Sequence, residues 1–418
     1  MVRGRTPGGG SGGLRNRAAW VMADQAISSL SNAGLSLLVA TQVSRADYGA
    51  FAIAFSVYGF AVAMTQSTAG QVLSIRYAGA GPQEHRAASK SAVGTTLALG
   101  ILAGLLLTGS WLLLAPPLDR VLLAFGVLLP GLLVQDAWRS VFISRGTPAQ
   151  AFWNDLVWLA LQTLSIGGLL LYGSSSVTHY VLAWGISAGT AALLGIVQTG
   201  VRPKLVGWRS WLIEHRQITA PSAAGAFAVI GAGQLAFIAV ASIGSLADVG
   251  ALRGSQTLLG PMNIISFAIT ALAIPEVARR QLSKRQFLTV AAAISGVLVL
   301  VNLVWGGIFL VLPDSVGEAL LGATWSGTRE VLPWMVASAC LVASTTGFTA
   351  MIRAWNWASY AFRISIVAGP AILLFAAVGT HLDGARGAAM GFAGASALAL
   401  PLGWFLFWRV LKRGRQSD

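Results

Sequence analysis

The sequence predicts an all-α integral membrane protein of about twelve transmembrane helices. Three observations predict it: the apolar composition, a series of bilayer-length apolar runs, and the one-sided placement of the basic residues. Of 418 residues, 55% are hydrophobic and 10% charged, with a mean hydropathy of +0.71. A soluble chain carries about 25% charged residues. Lipid must therefore solvate most of this one.

The elements follow in chain order. Residues 1–19 are Gly-rich and basic and read as a disordered tail. The apolar run after them is too long for the core of a signal peptide and lacks a small-residue cleavage pattern, so it reads as the first span. Spans are expected near 20–43, 48–72, 91–114, 121–143, 152–172, 179–199, 221–244, 249–275, 287–312, 331–352, 361–379 and 387–408. The connection at 44–47 is tight, and the run 152–172 is comparatively polar.

Basic residues test this map independently. Of the 28 Lys and Arg, only Arg45, Arg120, Arg329 and Arg386 fall on one side of the alternating map, and Arg253 lies inside a span. The rest crowd the other side. Positive-inside asymmetry then places both termini in the cytoplasm and leaves no nucleic-acid footprint in the net charge of +14. Cys340 is the single cysteine, so the chain has no internal disulfide and no cysteine metal cluster. The four histidines show no ligand spacing, and no metal site or cofactor is expected.

The chain also repeats itself. Ala46-Asp47-Tyr48-Gly49-Ala50, after the first span, recurs as Ala247-Asp248-Val249-Gly250-Ala251, after the seventh. That placement fits a parallel duplication of six helices. It divides the chain into a tail (1–19), a first six-helix lobe (20–199), a linker (200–220), a second lobe (221–410) and a basic tail (411–418). In the linker, Leu205, Trp208 and Leu212 stand at helical spacing among basic residues. An amphipathic surface helix and a plain solvated linker both fit.

The stretches SRADYGAFAIAFSVYGF (44–60), ADVGALRGSQTLLGP (247–261), AIPEVARR (273–280), LLGATW (320–325) and GARGAAMGFAG (384–394) resemble the polysaccharide (O-antigen type) flippases of the multidrug/oligosaccharidyl-lipid/polysaccharide (MOP) exporter superfamily. The likeness runs from about 20 to 410. It implies two six-helix lobes around a central cavity that opens alternately to each side. It implies transport of polyprenyl-diphosphate-linked oligosaccharide from the cytoplasmic to the outer leaflet of the bacterial inner membrane. The partners it implies are that glycan, membrane lipids, and the glycosyltransferases and polymerase of the same pathway. A cation-coupled exporter of small organic cations from the same superfamily is the alternative.

Charges inside a membrane are costly and tend to face a cavity, so the few present are the candidates. Arg253 departs from the repeat, whose counterpart is Ala52, and could hold a phosphate with two parallel hydrogen bonds. Equally, it could reach the nearby interface with its long stem. Asp136 and Arg139, three apart on one helix, form either a self-neutralising pair or a cavity-lining pair. Asp24 and Asp155 fall in first helical turns, which the helix dipole favours, and are the candidates for coupling-ion binding. Gln66, Gln71 and Gln234 are cavity candidates, and Gln162 is a further neutral polar group at membrane depth; interhelical hydrogen bonding accounts for all four equally well. Pro130, Pro261, Pro370 and Pro401 fall inside predicted helices, where they could kink the chain.

No sequence signal supports catalysis. The chain has no phosphate-binding glycine loop with its lysine and no nucleophile–base motif. Its longest outer loop, near 313–330, is too short for a membrane-embedded polymerase or ligase.

Overall fold

The computed structural model describes residues 11–279, 283–354 and 358–413, and every regular element among them is helical. Helix α1 spans Ser11–Gln42, α2 Arg45–Tyr77, α3 Pro82–Ser110, α4 Leu118–Arg145, α5 Pro148–Leu171 and α6 Val177–Thr199. After the connection come α7 (Trp208–Glu214), α8 (Arg216–Ala226) and α9 (Ala232–Ile243), with α8 and α9 joined through the π-helical turn Phe227–Gly231. Then follow α10 (Leu246–Arg279), α11 (Lys284–Leu310), α12 (Asp314–Leu321), α13 (Trp325–Ala354) and α14 (Ala358–Arg413).

Helix α14 is a hairpin. Its helical path breaks at Asp383 and at Gly384, whose φ of 50° is one a glycine adopts without a Cβ penalty. The arms lie backbone to backbone, and a Cβ on Gly379 would collide with the carbonyl of Gly387, one on Gly391 with that of Phe375. Taking α8 with α9 as one path and α14 as two, the described residues contain twelve long helical passes, as the hydropathy pattern predicts. Among the described residues eight helices are apolar and long enough to cross a bilayer on that basis alone. Pro130, Pro261, Pro370 and Pro401 all fall within these helices.

Two expectations are corrected. Residues 11–19, expected to be disordered, form the first turns of α1. In the linker Val201, Trp211, His215 and Thr219 are buried, whereas Leu205 is exposed and precedes the helix. Trp211 Nε1 donates to Thr68 O at 3.1 Å, and the Tyr77 hydroxyl lies 3.1 Å from His215 Nε2. The linker is thus docked on the end of α2. Residues 1–10, Arg280 and 414–418, which belong to the expected tails and to the 273–280 motif, lie outside the described residues.

Helix α2 is irregular where α7 meets it, with π-helical turns at Gln66–Gly70 and Leu73–Tyr77. The hydroxyls of Thr65, Ser67, Thr68 and Ser74 each donate back to a carbonyl four residues earlier. Such back-bonding competes with the helical ladder and bends it.

The two copies of the repeat meet each other. Where α2 and α10 cross, a Cβ on Gly49 would overlap the Leu246 carbonyl, and one on Gly250 would lie 2.9 Å from the Arg45 carbonyl. Arg45 and Leu246 occupy equivalent repeat positions, as do Gly49 and Gly250, so the contact is reciprocal, as at a two-fold interface. Only glycine permits so close an approach at both positions. The equivalence extends one step beyond the pentapeptides: Ser44 and Ser245 cap their helices identically, each hydroxyl accepting from the backbone N–H of Asp47 or Asp248 at 3.2 Å.

Candidate functional site

The reciprocal glycine contact closes one face of the bundle, the far face. Arg17 and Arg413 lie toward the opposite, near face. Directly beneath the contact, Ser36, Tyr48 and Thr257 join α1, α2 and α10 through buried hydroxyls, Ser36 Oγ lying 2.8 Å from Tyr48 Oη and 2.9 Å from Thr257 Oγ1. The Arg45 guanidinium reaches from α2 to Ala323 O and Ser326 Oγ at the start of α13. Asp248 Oδ1 accepts from Ala385 N at 3.1 Å, holding α10 to the turn of the α14 hairpin.

Beneath this seal lies a cavity of about 800 Å³ between the two halves. Its walls come from α1, α2, α10, α11 and α13. Phe55 and Arg253 stand at the deep end, and Gln25, Ser266 and Thr346 line it toward the near face. Arg253 lies seven residues into α10, about 10 Å below its start at 1.5 Å per residue. Its guanidinium carbon sits 4.2 Å from the centroid of the Phe55 ring, a cation–π contact across the halves. Arg253 Nε is buried without a hydrogen-bond partner, and no carboxylate among the described residues pairs with this arginine. The remaining polar lining is neutral: Gln25, Asn32, Gln256, Asn302 and several hydroxyls. Among the described residues that line the cavity, Arg253 is the one ionisable side chain.

The other charged candidates converge elsewhere, inside the first half. Arg139 on α4 is surrounded by Asp24 of α1, Asp136 one turn earlier on α4 and Asp155 of α5. Its Nε lies 2.9 Å from Asp24 Oδ2, though misaligned for a hydrogen bond; Nη1 donates to Asp136 Oδ1 at 3.2 Å and Nη2 to Asp155 Oδ2. Neutral amides complete the shell. Gln66 Nε2 donates to Asp136 Oδ2 at 2.6 Å and its Oε1 accepts from Ser140, while Gln135 Nε2 donates to Asp155 Oδ1 at 2.7 Å. The carboxylates are 2%, 4% and 3% exposed at Asp24, Asp136 and Asp155, so water does not solvate them. Burying charge this deeply is tolerable only with such partners. Asp24 Oδ1 is left without one.

Of the sequence candidates, the structure therefore brings Arg253 alone to the central cavity. Arg139, Asp136 and Gln66, expected to line it, belong to the buried cluster, where the helix-spaced pair Asp136–Arg139 gains two further acids. Asp24 and Asp155, read separately, are parts of that one cluster. Gln71 is exposed, and Gln234 packs beside Gly59 of α2; neither lines the cavity. Gln162 is buried with its Oε1 unpartnered. The amides of Asn32, Gln256 and Asn302 were not singled out in the sequence. Gln256 had a detectable signal, since it is the repeat counterpart of Phe55.

No protein-family model and no curated protein matches the chain. Solved structures do. An inward-facing multidrug resistance MATE family transporter of the MOP superfamily superposes with a TM-score of 0.72 at 14% identity, over 95% of this chain and 100% of its own. The lipid II flippase MurJ, in an inward closed conformation, superposes with a TM-score of 0.71 at 10% identity, over 93% of this chain and 89% of its own. An outward-facing MATE family transporter of the MOP superfamily gives 0.62 at 14% identity, over 96% of both chains. The chain is thus a multi-pass, all-α membrane protein with the fold that MATE transporters and the flippase MurJ share.

Proposed function

We propose that the protein is a membrane transporter that flips a polyprenyl-diphosphate-linked oligosaccharide from the cytoplasmic to the outer leaflet, for polysaccharide assembly. One observation carries this reading: among the described residues, the central cavity presents a single ionised side chain, the unpaired cation Arg253, among neutral amides and hydroxyls. A guanidinium suits a diphosphate, which it binds with charge-assisted hydrogen bonds. The amides and hydroxyls suit sugars. A cavity built for an organic cation would be expected to present a carboxylate.

In this reading the near face is cytoplasmic, in line with its crowd of Lys and Arg. Cargo enters from that side while the Gly49–Gly250 crossing closes the other. Export then requires the outer ends of α2 and α10 to part and the cytoplasmic side to close. Cargo binding drives this only through a difference in its affinity for the two states. Glycosyltransferases would supply the cargo and a polymerase would receive it.

The second reading, a cation-coupled exporter of small organic cations, has its own observation. Three buried carboxylates surround one guanidinium in the first half, an excess of acid of the kind a coupling cation would use.

Vesicles reconstituted with the purified protein separate the two. Vesicles carrying a fluorescent polyprenyl-diphosphate oligosaccharide should expose it to an impermeant glycosidase faster than protein-free vesicles, and should not accumulate ethidium. Ethidium transport without glycan exposure would overturn the flippase reading.

A further inference from the structure

A second concavity lies on the near face, outside the central cavity, lined by the first half and by Val201 at the start of the linker. Its volume is about 530 Å³, and α3, α4 and the end of α6 build its walls. Gln83, His85, Arg86, Ser89, Ser144, Arg145 and Thr199 supply its polar lining, and no carboxylate among the described residues lines it. We propose that this pocket binds a phosphate-bearing anion at the membrane surface, the headgroup phosphate of an anionic lipid being the source its position favours.

Four features support the assignment. Arg86 and Arg145 come from different helices yet face one hollow. Arg145 makes no ion pair with any described residue, and Arg86 spends one nitrogen on the Gly200 carbonyl, donated at 2.7 Å, which leaves its other donors available. Outside the lining, Arg17 adds a third guanidinium beside Gly146, the residue after Arg145, 3.4 Å from where a Cβ on that glycine would stand. The pocket also meets the first turn of α3, a helix of 29 residues whose leading N–H groups and dipole favour an anion.

The floor of the pocket is ordered rather than loose. His85, 7% exposed, lies 3.0 Å from Ser144 Oγ through Nε2, and Ser89 Oγ donates to the His85 carbonyl at 2.8 Å. Glu84, the acid next in sequence, is exposed and outside the lining. Arginines that serve only to orient the chain in the membrane would have no need to converge. Basic hollows between helices at the cytoplasmic surface are suited to lipid headgroups.

The test uses the full-length protein purified in neutral detergent. Native mass spectrometry would follow retention of phosphatidylglycerol against phosphatidylcholine, and a parallel titration would follow inorganic phosphate by thermal shift. The comparison is with Arg145→Gln, with Arg86→Gln/Arg145→Gln, and with Arg209→Gln as a near-face control. At about one kcal/mol per basic residue, the double variant should retain phosphatidylglycerol about thirtyfold more weakly, Arg145→Gln should fall between, and the control should match the parent. A thermal shift with inorganic phosphate, lost in the same variants, with no preference for phosphatidylglycerol, would assign the pocket to a free phosphate ester instead. Equal retention of both lipids and no phosphate shift would overturn the proposal. So would unchanged binding in Arg145→Gln, which breaks no hydrogen bond or ion pair with any described residue and should fold normally.

Discussion

Among the described residues two arginines, Arg139 and Arg253, lie within the helical bundle, and the halves of the molecule treat them in opposite ways. In the first half, Arg139 meets three carboxylates on three helices, and these helices are pinned together through it. In the second half, Arg253 has an aromatic face and no acid among the described residues. A charge at mid-membrane costs roughly 2.5–3.5 kcal/mol on insertion scales, and less near the interface. A cation–π contact offsets about 0.5–2 kcal/mol of that. Arg139 is thus a closed electrostatic unit, whereas Arg253 retains unsatisfied attraction for an anion. Net charge inside a membrane protein therefore says little about function until the pairing is known.

The largest expected effect breaks the closed unit. Arg139→Met leaves Asp24, Asp136 and Asp155 buried together without a cation, and should lower stability by about 3–5 kcal/mol. Unfolding followed by tryptophan fluorescence in detergent would measure it. Arg253→Met, with no partner to orphan, should unfold within about 0.5 kcal/mol of the parent. Equal destabilisation of the two would dissolve the contrast.

The same pair sharpens in the opposite sense when transport is read. Arg253→Ala should cost the cargo a charge-assisted bond, about 1.5–3 kcal/mol, or roughly ten- to a hundredfold in apparent affinity, while the protein still inserts and folds. Arg253→Lys keeps the charge but loses the planar fork, so it should recover part of that loss. Normal glycan exposure by the Ala variant would leave the arginine as a packing residue on Phe55.

A third effect concerns what the halves share. Gly49→Val places a branched side chain against the Leu246 backbone, and overpacking of this kind costs about 1–3 kcal/mol. Here the strain falls on one conformation, so it should shift the population toward states with the far face open. A cysteine in place of Ser36, fully buried beneath the crossing, should then react faster with an impermeant maleimide added from that side. Gly250→Val should do the same, because the contact is reciprocal; an effect at only one position would argue against a two-fold crossing.

These comparisons mark what was legible in the sequence. The twelve passes were readable because lipid imposes a length and a polarity that any spanning helix must meet. The repeat was readable too, and Ser44 with Ser245 would have lengthened it. The pair Asp136–Arg139 was visible because helical spacing places residues three apart on one face. Asp24 could not be joined to Arg139 across more than a hundred residues, since its neighbours depend on how α1 packs against α4 and α5. The cavity amides were hidden for another reason: neutral polar residues occur throughout membrane helices, and nothing local separates Asn302 from a residue that bonds a neighbouring helix.

The smallest effect tests how evenly the three acids share Arg139. Asp155 accepts from both Arg139 and Gln135, and Asp136 from both Arg139 and Gln66. Asp24 faces the arginine with one misaligned oxygen, and its other oxygen is buried without a partner. Asp155→Asn should therefore cost about 2–3 kcal/mol, through a lost charged bond in a dry site. Asp24→Asn should cost less than about 1 kcal/mol. The new amide still fits the space, and one of three mutually repelling carboxylates has gone. Denaturant unfolding of both variants in the same detergent gives the comparison directly. If Asp24→Asn proved the costlier of the two, Asp24 would be the principal counter-ion of Arg139, and α1 rather than α5 the helix that this arginine chiefly holds.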